Sequence, residues 1–173
     1  MPVTFRGDFS KLRRWADKAD QAKELMETIS KNLADESISL VRDGMNRGVD
    51  PYGKRYEPLV LRSGQPLKRT GGMFAAWHRA SATAGSFRIS NAKNYAGFHQ
   101  HGTGIYGPKK TPITAKNGGS LRIPLPGGGV MFRKSVAGSP QRMMVPRKRL
   151  PGAWRDAYRE TVNEIFLSHF RSR

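Results

Sequence analysis

Cysteine is absent from the 173 residues, which removes disulfides and leaves any zinc site without its soft ligands. A chain of this length buries a core without covalent staples. Also missing is any run approaching the roughly 20 apolar residues that a membrane helix needs, and the residues after Met1, PVTFRGDFSKLRRW, are mixed and charged where a leader would be apolar. The expectation is a protein made and kept in a reducing, aqueous compartment, most simply a cytoplasm, with no membrane partner.

The most informative shortage is of acid. Residues 1–50 are balanced, with nine Lys or Arg against nine Asp or Glu, but no acidic residue stands between Glu57 and Asp156, where seventeen Lys or Arg occur. The net charge of +18 therefore accumulates after Asp50. Such a field attracts a polyanion or an acidic protein surface. The same gap argues against whole classes of chemistry, because metal-dependent phosphoryl transfer holds Mg²⁺ with carboxylates and glycosidases need a carboxylate pair.

What is present reads as an α+β chain. From Lys11 to about Arg47, Leu12, Trp15, Ala19, Ala22, Met26, Ile29, Leu33 and Leu40 recur at three-and-four spacing, which predicts one amphipathic helix on the order of 50 Å long. Asp8 or Ser10 can cap it, and NRGVDPYG ends it. Its seam suits a coiled coil with another subunit or, preferred here, a sheet of its own chain.

Residues 54–70 read as an irregular arm, and GGMFAAWHRAS as a short helix that buries Met73, Phe74 and Trp77. SFRIS and NYAGFHQ are expected as short strands. Residues 102–120 and AGSPQRMM are expected as flexible loops, ordered only against a neighbour. Between them SLRIPL, the turn PGGG and VMFRKSV form a hairpin, with Pro124 marking an edge or a bulge. Pro151 and Gly152 introduce a last helix to about Phe170. The sum is one domain over 1–173: a small, mainly antiparallel sheet, a long N-terminal helix, a C-terminal helix and extended Gly-rich loops.

Candidate chemistry is thin. His99 and His101 would share a face on a strand, but His78 and His169 are far away in sequence and no cysteine exists, so a metal site is not expected. No acid or nucleophile is spaced to make either histidine a base. The glycines of GTGIYG and PGGGV lack the ending of a phosphate-binding loop and are turn glycines. No catalytic residue, cofactor or metal ligand is assigned.

In order along the chain, five segments resemble the tailed-bacteriophage virion morphogenesis family, the Mu G-like tail-completion and head-tail joining group. DPYGKRYEPL is similar to its aspartate-proline-x-glycine element (Asp50, Pro51, Gly53), LKRTGGMFAAW to its threonine-glycine segment (Thr70, Gly71), and YAGFHQHGT to its tyrosine-alanine-x-x-histidine-glutamine-x-glycine stretch (Tyr95, Ala96, His99, Gln100, Gly102). PITAKNGGSLRIPLPGGGVMFRKSV resembles the hairpin of related joining proteins, and VPRKRLPG their motif ahead of a last helix. Tyr56 stands where the family usually has tryptophan, and Lys148, Arg149 and Leu150 where arginine, proline and phenylalanine are common.

The resemblance implies a non-enzymatic structural protein of the virion, assembled in the bacterial cytoplasm as a homo-oligomeric ring, with six subunits the expected number. Its partners would be other neck, connector and tail-tube proteins and the DNA packaged in the channel. It implies structural roles for the motif residues, His99 as a hydrogen-bonded one among them. The cations expected to face a partner or DNA are Lys109, Lys110, Arg133, Lys134, Arg147, Lys148 and Arg149. The alternative function is a basic DNA-binding module without enzymatic activity, which the charge alone explains.

Overall fold

A computed structural model describes residues 10–60, 63–125 and 127–171. The expected helix is α1, Ser10–Arg47, about 57 Å long at 1.5 Å per residue. Ser10 is its first residue; Asp8, the side chain of Leu12 and Pro126 lie outside the described residues. Gly48 ends it at φ +71°, where a side chain would be strained. The chain then closes a tight turn over Asp50–Gly53, in which Gly53 N donates to the Asp50 carbonyl at 3.0 Å.

Only the second half of α1 is core. Ile29, Ala34, Ile38, Val41 and Met45 are buried, whereas Trp15 is 72% exposed and Met26 44%. The seam does pack on its own chain, as expected, but only from about Ile29 onward.

GGMFAAWHRAS is not one helix. The helix is a single turn, α2 (Gly72–Ala75), and Trp77 opens a strand, β1 (Trp77–Thr83), that pairs antiparallel with β2 (Ser86–Asn91). The reason is the partner: SFRISN pairs with β1 along its length, with one bulge at Ala80, and Ala92 N donates to the Ala76 carbonyl at the point where the helix would continue, so pairing overrides local preference. The β1–β2 ribbon lies on α1.

The second correction is NYAGFHQ, which is not a strand but α3, Ala96–His101. The Lys93 and Tyr95 carbonyls accept the first amide protons, Ala96 is buried while Phe98 is 61% exposed, and Gly102 ends the turn at φ +75°. His99 and His101, two residues apart on a helix, diverge by about 200° and share no face.

Within 102–120, expected as loop, Ile113–Thr114 forms β3. The hairpin is present as β4 (Leu121–Pro124) and β5 (Val130–Arg133), with Arg122 opposite Phe132. VMFRKSV breaks at Lys134, and Ser135–Val136 becomes β6, which pairs with β3. The sheet is thus three two-stranded antiparallel ribbons. The chain ends in α4, Gly152–Arg171, packed on α1, where Tyr158 and Ser37 share a hydroxyl hydrogen bond of 2.5 Å.

One core results, to which the described residues of β3 to β6 contribute nothing: Ile38, Val41 and Met45 of α1 with Leu67, Met73, Trp77, Ala96, Met144 and Trp154. Met45→Ala, at a site with 0% exposure, should cost about 2–5 kcal/mol, and Met26→Ala on the same helix less than about 0.5 kcal/mol. Urea unfolding of the two variants checks this division of the helix; similar losses at both sites would contradict it.

Candidate functional site

The residues expected to be architectural converge on residues 137–149. This stretch, part of which the sequence suggests is flexible, is a strap held from two sides. On one side stands α3. The Gln100 amide Nε2 donates to the Val145 carbonyl at 2.8 Å, and its Oε1 accepts from Met144 N at 2.8 Å and Val145 N at 3.1 Å. The side chain thereby imitates a neighbouring strand. Arg142 N donates to the His99 carbonyl at 2.7 Å, and Gln141 Nε2 to the Gln100 carbonyl at 2.9 Å.

On the other side stands the turn after α1. Asp50 Oδ1 accepts from the amides of Tyr52 and Lys54, both at 2.9 Å, with Pro51 presetting φ inside the turn and Gly53 at φ +87°. The turn aims two phenols at the strap: Tyr56 Oη donates to the Met143 carbonyl at 2.9 Å and Tyr52 Oη to the Arg149 carbonyl at 3.0 Å. Burial, with Asp50 adding to it, pushes the Tyr56 phenol far above its ordinary range, so it remains a donor at any ordinary pH.

Three features of the strap are missed by sequence reasoning. Arg142 is 5% exposed and donates through Nη2 to the Glu57 and Pro58 carbonyls at 3.2 and 3.4 Å; its only sequence signal is the apolar pair Met143 and Met144 beside it. The carbonyl contacts of Tyr52 and Tyr56 have no sequence signal at all. The strap also presses on 103–105: Ile105 N donates to the Ala137 carbonyl at 2.8 Å, and a Cβ on Gly104 would fall on that same carbonyl, so the approach demands glycine.

His99 needs a correction. Its carbonyl makes the hydrogen bond, while the ring meets Tyr95 edge-on at 6.2 Å and Nδ1 is buried without a hydrogen-bond partner. The ring shares a depression of about 390 Å³ with Arg69, Thr70, Gly71, Tyr95 and Arg142; Thr70 is exposed there, and Gly71 at φ +73° starts α2. His101 points elsewhere, accepting from Arg147 Nη2 at 2.6 Å, since a guanidinium can only donate. Among the described residues no group of three or more His, Cys, Asp or Glu is placed to hold a metal ion.

All seven cations expected at a partner surface are exposed, in two neighbourhoods. Lys109 and Lys110 lead into the arm built from β3 to β6, and Arg133 and Lys134 lie within it, where Ala115 N donates to the Lys134 carbonyl at 3.0 Å. Arg147, Lys148 and Arg149 lie on the strap ahead of α4, beside Tyr52 and His101. No described helix is long and apolar enough to cross a membrane. Comparison with models of protein families, with curated proteins and with solved structures finds no match.

The pH behaviour of His99 follows from its surroundings. Burial first, and the Arg142 charge second, hold its pKa below the ordinary 6.5. Between the two values the unfolded chain binds the proton more readily, so stability is full above the unfolded pKa and is lost as pH falls toward the folded one. Thermal melting at pH values from about 7.5 to 5 should show wild type losing stability that His99→Gln does not lose. Parallel curves for the two proteins would contradict the assignment.

Proposed function

We propose that this protein is a non-enzymatic structural subunit of a tailed-phage virion, assembled in the host cytoplasm into a homo-oligomeric ring that completes the tail or joins it to the head. The family resemblance supplies the class of function. The observation that carries the assembly is that two elements project from the core with large apolar side chains uncovered: α1 with Trp15 at 72% exposure, and the arm with Phe132 at 63%. Exposed apolar groups at two different places suit a heterologous contact, in which one surface of a subunit meets another surface of the next and the rotation closes a ring.

The motif residues support the same reading by what they do. Asp50, Gly71, Gln100 and Gly102 fix backbone. Residues that hold backbone in place suit a protein that works through its shape. The alternative, a monomeric DNA-binding module, is favoured by the acid-free arm alone.

Light scattering and negative-stain electron microscopy of the purified protein test this. A single multimer with a central opening is expected, six subunits being the number the resemblance suggests. Trp15→Glu should lower the assembled fraction while leaving the melting transition within about 0.5 kcal/mol of wild type; a strictly monomeric wild-type protein at all concentrations would overturn the proposal.

A further inference from the structure

The charge of this molecule is segregated by structural element. α1 carries seven acidic residues against eight basic ones, and α4 three against three, so the helical part is close to neutral. The described ion pairs, Arg47–Asp43, Arg79–Asp35 and Arg159–Asp156, all use acids of these two helices. The arm from Lys109 to Val136 carries six cations and no acid: Lys109, Lys110, Lys116, Arg122, Arg133 and Lys134, each exposed.

We propose that this arm is a binding surface for duplex DNA. It rests on the ring reading only for where in the particle DNA would be met. β4 and β5 form a two-stranded ribbon with a glycine tip in which Gly127 and Gly128 have positive φ. A ribbon of this kind fits the roughly 12 Å major groove of B-DNA. Arg122 and Phe132 stand opposite each other in the register, on one face of the ribbon and both exposed. The other face, with Ile123 and Met131, is turned toward Tyr56 and Val60 across a groove of about 700 Å³.

The outward face therefore combines a phosphate-binding guanidinium with an aromatic ring. Lys134 continues the line of charge along the arm, and the β3–β6 pairing sets it level with Ala115, next to Lys116. Cations spread along the whole length of an arm match a ligand that carries one charge per roughly 1.7 Å of axis. An acidic protein patch would instead ask for cations gathered around an apolar centre.

Binding of the full-length protein to a labelled mixed-sequence duplex of about 30 bp, followed by fluorescence anisotropy between about 50 and 200 mM salt, tests this. Arg122→Ala/Lys134→Ala should weaken binding at least about tenfold and lower the salt slope by about 2, at about 0.9 per lost phosphate contact. Lys23→Ala/Arg155→Ala, which removes the same charge from the helices, should leave the slope unchanged. Phe132→Ala should weaken binding without altering it. An arm variant indistinguishable from the helix variant would overturn the proposal, as would polyglutamate bound more tightly than DNA with the same dependence on the arm. Subunit mass measured on the same samples separates the readings: a DNA-binding monomer sinks the ring and keeps the arm, whereas an intact ring with an unaltered slope sinks the arm and keeps the ring.

Discussion

The fold depends on one side chain doing the work of a strand. Gln100 meets the amides of Met144 and Val145 and the Val145 carbonyl with a single carboxamide. Without it those three groups, in a part-buried stretch that pairs with no strand among the described residues, would lose their partners, each at about 1–3 kcal/mol where water cannot replace the contact. With the strap in place, Met144 enters the core beside Trp154 and Met45, and the chain is led from the arm to α4. The clamp thus joins the arm to the helical body, and α3 exists to present it. Six residues are too few to hold a helix in isolation.

This division explains what the sequence makes legible. α1 and α4 show themselves because 38 and 20 residues give a 3.6-residue period many turns in which to repeat. The β4–β5 hairpin shows itself through alternation on both sides of a glycine turn. α3 does not, because six residues complete fewer than two turns, and the partners that hold it lie 41 to 45 residues away. The strap is misread for the same reason. Gly138 and Pro140 give it the composition of a loose connection, while the bonds that fix it come from Tyr56 and Arg142 across 87 and 85 residues, a separation no local pattern records.

The exposed cations are legible for the opposite reason. An acid-free span offers its cations no partner of its own, so Lys109, Lys110, Arg133 and Lys134 are expected at solvent or an external anion, although Arg79 of the same span reaches Asp35 on α1 and Arg142 is buried on carbonyls. Their grouping is not legible, since it took the β3–β6 pairing to set Lys134 level with the 113–116 segment and to leave Arg147–Arg149 on the strap. The histidine pair reads as a site only while it is placed on a strand. On a helix one ring turns to Tyr95 and the other accepts from Arg147, and the impression of a shared centre disappears.

Physically, then, the chain is a near-neutral pair of helices and a polycationic arm joined by a clamped strap that is itself basic, with apolar groups left uncovered on helix and arm. That arrangement suits a part whose task is to be placed between others. The clamp on which it depends is tested most directly by amide hydrogen exchange at Met144 and Val145 in the isolated protein. If Gln100 holds the strap as described, both amides exchange only through global unfolding in wild type and through a local opening in Gln100→Ala. Exchange of both amides at loop-like rates in the wild-type protein would contradict the account.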